Sequence, residues 1–376
     1  MKVICAALSA ALLCAACAHS DSTAPDRRVR FDAAYQAAHR DRIEIVVPEV
    51  YEMVNVAMAL TPAVQAQPGR VPETPYRERV LSYFAPVGDH PLVTAISTRL
   101  ETAPILGYIA FKLDAYAFEF DASGQIVRSL VYDRISDDPE NSLLALMPQL
   151  QSFAEQSNFR AFYAENGSHY QEQIAFFEET LNAPGMLAWL RAEFPGVRSY
   201  DSIKVVLSPL AGNIQNQVAF EDAGFREMQA HVNFPYRTLP DLSESGNTVW
   251  RGTQLFGELN HGFINPAAEP YAGQIAAAIS DRADWTTEAN ADAYPDDQAV
   301  FNEYMNFALI SLYHDARMSA EDAVIAAGRI DYVMEQRGFT RFAGFNAMLR
   351  RLYRERRPAE TVADFYPRIV AWVETQ

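Results

Sequence analysis

Cysteine is nearly absent from this 376-residue chain, and all three residues, Cys5, Cys14 and Cys17, fall within the first 17 positions. The rest of the chain therefore has no disulfide, no thiolate metal site and no thiol nucleophile, and must be held by core burial. Long apolar runs are scarce too. The most extended, Val3 to Ala16, has 14 residues, fewer than the about 20 that a membrane-spanning helix needs. No Gly-rich phosphate loop and no Ser-centred nucleophile elbow occurs. Positive charge is in deficit: 31 Lys and Arg against 48 Asp and Glu give a net charge of −17. That balance argues against nucleic acid or anionic lipid as a partner, since both require a basic face.

What is present at the N-terminus has the form of an export signal. Lys2 supplies the positive start and the 14-residue run the apolar centre. The run ends in Cys14-Ala15-Ala16-Cys17, small residues before a cysteine, as in the lipobox of exported lipoproteins. Cys14 stands where Leu is usual. Ala16-Cys17-Ala18 also satisfies a small-x-small cleavage site, which would release a soluble periplasmic or secreted protein. The sequence thus predicts a lipoprotein signal over 1–17, lipidation at Cys17 and a polar tether over 18–30. Ala18 in place of Asp favours the outer membrane, so membrane contact is expected only through the anchor. Loss of Lys2 would take the charge from −17 to −18.

Residues 31–145 read as a mixed α/β region. Ile43 to Val47 is strand-like, and Pro48 opens a helix in which Val50, Met53, Val54, Ala57 and Met58 recur at helical spacing. Tyr116 to Phe120 and Gln125 to Leu130 form a hairpin pattern with Gly124 in the turn. Residues 146–200 read as helical, with Phe153, Phe159, Phe162, Tyr163, Tyr170, Phe176 and Phe177 as core. Ile203 to Pro209 and Met228 to Phe234 read as strands. From Thr248 the pattern is helical almost to the end, broken by an acidic loop from Asp281 to Asp297. Ser319 with Asp322 predicts a helix start after Met318. Strands first and helices last imply an α+β fold with a mainly helical C-terminal half.

One segment has the spacing of zinc chemistry. Positions 257 and 261 lie one turn apart on a helix and face the same way. A zinc peptidase uses that spacing in His-Glu-x-x-His: two imidazoles grip the metal and the Glu takes a proton from metal-bound water. Here Glu258 and His261 stand in the base and second-ligand places, and Gly257 replaces the first histidine. Asn302-Glu303-Tyr304-Met305-Asn306 follows on another helix, with Glu303 42 residues after His261. Among the other histidines, His314 lies 11 residues beyond Glu303, about 16 Å along a helix, too far to share a metal. His231, in the strand region before the helix, is the candidate substitute ligand. Tyr236, Tyr304 and Tyr313 are candidates to stabilise an oxyanion. Asp292, Asp296 and Asp297 lack the ordered spacing of a calcium loop and read as a solvated acidic segment.

Much of the chain resembles a bacterial family of gluzincin-like metallopeptidase homologues defined only as a domain of unknown function. The resemblance is carried by Val50-Tyr-Glu-Met-Val-Asn-Val-Ala-Met-Ala-Leu-Thr61, Asn158-Phe-Arg-Ala-Phe-Tyr-Ala-Glu-Asn166, Lys204-Val-Val-Leu-Ser-Pro-Leu210, His261-Gly-Phe-Ile-Asn-Pro266, Glu303 and Asp364-Phe-Tyr-Pro367. It spans roughly residues 45 to 370. It implies that 146–376 is a gluzincin-like region with a zincin-like helical half. Glu258 would be the catalytic general base, and His261 and Glu303 ligands of a zinc ion. The strand before the helix would be an edge strand that pairs with substrate. This chain departs at Gly257, and again at Phe307, where some gluzincins carry an acidic residue.

The missing histidine matters. A four-ligand zinc site is worth about 10–16 kcal/mol, so one ligand accounts for two to three decades of affinity, at about 1.4 kcal/mol per decade. The reading favoured by the sequence is a catalytically impaired pseudoenzyme that binds a peptide or an envelope protein. An active zinc-dependent hydrolase with an unusual ligand set is the first alternative. A structural or assembly lipoprotein of the envelope is the second.

Overall fold

The computed structural model describes residues 13, 14, 28–67, 69–198, 200–212, 214–290 and 294–376. Cys17, nearly all of the signal, the tether up to Arg27 and Asp292 lie outside the described residues. Among the described residues 60% are helical and 12% are in strands, an α+β arrangement with the helical half C-terminal. The chain divides into two units, one formed from His19–Pro184 and Tyr200–Tyr236, the other chiefly from Gly185–Ser199 and Arg237–Gln376.

The first unit holds six strands: β1 (Arg42–Val46), β2 (Phe118–Phe120), β3 (Ile126–Arg128), β4 (Ser202–Ser208), β5 (Ile214–Asp222) and β6 (Phe225–Asn233). β2 and β3 form the hairpin expected around Gly124, which sits at φ +84°. Asp121 Oδ1 closes that turn by accepting from the N–H groups of Ser123 and Gln125. The remaining four run in the order β5-β6-β4-β1, with β1, β4 and β6 parallel and β5 antiparallel to β6. β4 is buried along its whole length, as its near-continuous Ile203, Val205, Val206, Leu207 run requires of a parallel strand covered on both faces.

β5 was not legible in the sequence. Gln215, Asn216 and Gln217 break the apolar pattern, yet all three are buried. Gln215 Nε2 meets Gly212 O at 2.9 Å and Asn233 Oδ1 at 2.7 Å, which shows how a polar strand enters a core.

Helix α1 (Glu49–Ala59) begins directly after Pro48, as expected, and is buried from Val50 to Ala59. A helix buried all round has no solvent face for its one inward carboxyl, Glu52. Tyr76 Oη donates to Glu52 Oε1 at 2.7 Å, and the Tyr76 and Tyr170 hydroxyls are 2.7 Å apart. Phe162 and Tyr170 pack on Tyr76 beside it. Phe153, Phe159, Phe162, Tyr170 and Phe177 are all core, as the sequence predicts.

The second unit is helical. Its principal helices are α2 (Thr253–Ala268), α3 (Asp297–Arg317), α4 (Ala320–Gln336) and α5 (Phe342–Arg354). α2 lies on α3, with Phe256 stacked on Tyr313 at 4.2 Å and Trp189 edge-on to both. α3 in turn meets α5 through Tyr304, Phe342 and Phe345. Ser319 caps α4 by accepting from Asp322 N–H, but the Asp322 carboxylate turns to Ser243 N–H and Oγ instead of completing the box. No described helix is long and apolar enough to cross a membrane.

Burial pushes the Glu52 carboxyl up to about 8, against hydrogen bonds from Ser208 and Tyr76 that pull it down. Below its ordinary value of 4.5 the group is protonated in both folded and unfolded chains. Between 4.5 and about 8 the unfolded chain ionises while the folded one stays protonated, so unfolding releases a proton. Stability therefore falls by up to about 1.4 kcal/mol per pH unit across that window. Glu52→Gln is expected to flatten this slope in urea unfolding followed from about pH 5 to 9 and to be the more stable protein at the alkaline end. Parallel curves for the two proteins would refute the assignment.

Candidate functional site

Glu258 and His261 are on α2 and Glu303 is on α3, and all three are buried. What joins the two helices near them is an amide relay. Asn260 Nδ2 donates to Asn306 Oδ1 at 2.9 Å, which orients the Asn306 amide so that its Nδ2 donates to His261 Nε2 at 2.7 Å. The His261 Nε2 lone pair, one of the two that could hold a metal, is thereby occupied by a hydrogen bond. Asn306 stands one turn after Glu303, inside the segment singled out by spacing, but no sequence signal gave it a role.

Glu303 is engaged still more firmly. Its Oε1 accepts from Arg337 Nη2 at 2.6 Å and from Tyr294 Oη at 3.0 Å, and Arg337 Nη2 also contacts Tyr294 Oη. Glu303 is 1% exposed and the Arg337 side chain 8%. The guanidinium lies between the rings of Phe307 and Phe339, at 4.7 and 5.2 Å. Phe307, the residue found where some gluzincins have an acid, is thus one wall of a cation cage. Arg337 gets there because α4 ends on it. Gly338 follows at φ +86°, and a Cβ there would come within 2.3 Å of Thr287 Oγ1, so only glycine makes this turn. A basic residue at a helix C-terminus ordinarily reads as a complement to the helix dipole, which is why the sequence did not reveal this one.

Gly257 faces α3. A Cβ at this position would meet Asn306 Oδ1 and Ile310 Cδ1, each at 3.5 Å. Both are ordinary contact distances, so a methyl group fits.

The other candidates lie elsewhere or are committed. His231 belongs to the strand-bearing unit and is fully buried. Its Nε2 is 3.0 Å from Gln229 Oε1 and its Nδ1 3.3 Å from Tyr51 Oη, and burial holds its pKa well below the ordinary value, with Lys112 adding to the effect. Its strand, β6, is flanked on both sides by β4 and β5, so the expectation of an edge strand there is corrected: its backbone groups are already paired. Tyr304 Oη donates to Trp285 O at 2.7 Å, Tyr313 is stacked on Phe256, and Tyr236 Oη accepts from Gln173 Nε2 at 2.8 Å. His314, pushed down to about 3 by burial, faces Thr253 Oγ1 at 3.1 Å. Asp296 caps α3 through Ala299 N–H.

The donor set does not fit a zinc ion. Among the described residues no group of three or more His, Cys, Asp or Glu side chains converges on one point. Glu303 instead meets a cation that the chain itself supplies. Comparison of the chain with protein-family models, curated proteins and solved structures gives no match.

Two stability measurements test this geometry. Arg337→Met should cost about 3–5 kcal/mol, because it strands a buried carboxylate. Adding Glu303→Leu should restore much of that loss, giving a coupling of about 2 kcal/mol or more in a double-mutant cycle. Additive costs would refute the pair. Gly257→Ala, whose methyl finds ordinary contact distances, should stabilise by about 1 kcal/mol through helix propensity. That corresponds to a melting point about 2–4 °C higher, and a lower one would mean that α2 and α3 cannot accept the methyl.

Proposed function

We propose that this chain is a peptidase-derived envelope lipoprotein that binds a peptide or protein partner without cutting it. In this reading it is exported, lipidated at Cys17 and related in descent to gluzincin-like metallopeptidases. Glu258, His261 and Glu303 are the remnants of the base and ligand positions. The observation that carries the non-catalytic half is the buried Glu303–Arg337 ion pair. A fixed guanidinium neutralises the carboxylate that a metal would need, and unlike zinc it cannot lower the pKa of a bound water. The His261–Asn306 hydrogen bond supports the same conclusion.

Support for the binding half comes from the sheet. β1 ends it, pairing with β4 on one side only. An extended peptide can add to such an edge through backbone hydrogen bonds.

Metal analysis and peptide retention on the purified, full-length exported protein test both halves. No stoichiometric zinc should be present, even after dialysis against zinc, and zinc should leave the melting point unchanged. Extended peptides should be retained saturably and recovered intact by mass spectrometry. Stoichiometric zinc that is lost in His261→Ala, or cleavage products that vanish in Glu258→Gln, would overturn the non-catalytic reading. Absence of any retained peptide would overturn the binding one.

A further inference from the structure

The helical unit carries a groove away from these residues. It is a shallow groove of about 520 Å³, largely open to solvent, where α5 ends and the chain turns towards its last helix, and none of Glu258, His261 and Glu303 lines it. Its walls are arginine-rich. The chain averages about one Lys or Arg per twelve residues, 31 in 376, yet Arg350, Arg351, Arg354, Arg356 and Arg357 fall within eight consecutive positions. Three of them, Arg354, Arg356 and Arg357, line the cleft.

The two carboxylates that face it are already matched. Glu193 accepts from Tyr353 Oη at 2.9 Å, from Arg356 Nη1 at 2.9 Å and from Val362 N–H at 3.1 Å. Arg356 is also stacked on the Tyr353 ring at 3.8 Å, which makes a rigid, charge-neutral floor. Glu360 is held by Arg368 Nη2 at 2.5 Å and by Arg357 N–H at 3.0 Å. Glu355 is not part of the lining. Arg354 and Arg357 remain on the wall, exposed, with no acidic side-chain partner among the described residues.

A helix C-terminus attracts basic side chains, and this accounts for Arg351 and Arg354 in the last turn of α5. It does not account for Arg357, which lies beyond the helix, beside a cleft. In a protein of net charge −17 the global field repels anions, so two unmatched guanidinium groups at one cavity form a local reversal of that field. Guanidinium forks match phosphate oxygens in geometry and charge. We propose that this cleft binds a phosphate-bearing ligand, held by Arg354 and Arg357 over the Glu193–Arg356–Tyr353 floor.

The phosphate can belong to a soluble compound or to a lipid headgroup, and two probes separate these sources. Calorimetry with inorganic pyrophosphate tests the first; sedimentation with phosphatidylglycerol–phosphatidylcholine vesicles tests the second, using the full chain with its lipid anchor removed by Cys17→Ser. The double variant Arg354→Ala/Arg357→Ala should keep the parent's melting point, since both side chains are exposed. It should lose affinity by about tenfold or more, the worth of a charge-assisted hydrogen bond. Arg329→Ala, an arginine on α4 outside the cleft, should bind as the parent does. Pyrophosphate binding that responds to the double variant assigns a soluble phosphate compound. Vesicle binding alone that responds to it assigns a headgroup. If neither probe binds, or if parent and double variant bind alike, the proposal is overturned.

Discussion

A carboxylate placed in a protein interior must meet a cation, become protonated or disrupt the fold. In the helical unit Glu303 meets Arg337, and much of the surrounding structure follows from that contact. The pair ties the middle of α3 to the end of α4. It also sets the requirements for the residues around it: a hydroxyl from Tyr294 to share the charge, and two phenylalanine rings to cover the guanidinium. Removing one partner would leave the other as an isolated buried charge, so the two side chains function as one element.

Glu52 in the other unit takes the second course. Among the described residues no cation pairs with it; Tyr76 and Ser208 hydrogen-bond it, and burial pushes its pKa up to about 8. The two buried glutamates show two solutions to the same desolvation problem within one chain.

Much of the fold was legible because its signals are local. Pro48 before an apolar helical pattern, Gly124 between two short strands and Ser319 ahead of α4 each act through the backbone within a few residues. β5 was not, since Gln215, Asn216 and Gln217 read as polar and are nonetheless buried, Gln215 with a contact to Asn233 that periodicity does not show. The candidate site was legible in the same partial way. Spacing identified Glu258, His261 and Glu303 and the anomaly at Gly257. The residues that decide what the site can do, Asn306 and Arg337, contact it from other positions in the chain. Asn306 sat within the motif segment and lacked only a partner to give it meaning. Arg337 is 34 residues from Glu303, and its one local mark, the glycine after it, signals a helix end without saying where the side chain goes.

Because Arg337 is the last residue before the Gly338 turn, α4 works as a ruler. Its N-terminus is pinned at Ser319 and its far end must deliver a guanidinium to Glu303. One residue inserted between these points would advance the end by about 1.5 Å and rotate it by about 100°, taking the arginine out of its aromatic cage. The helix is therefore constrained in length as well as in composition: residues can be exchanged along its exposed face, but none can be added or removed.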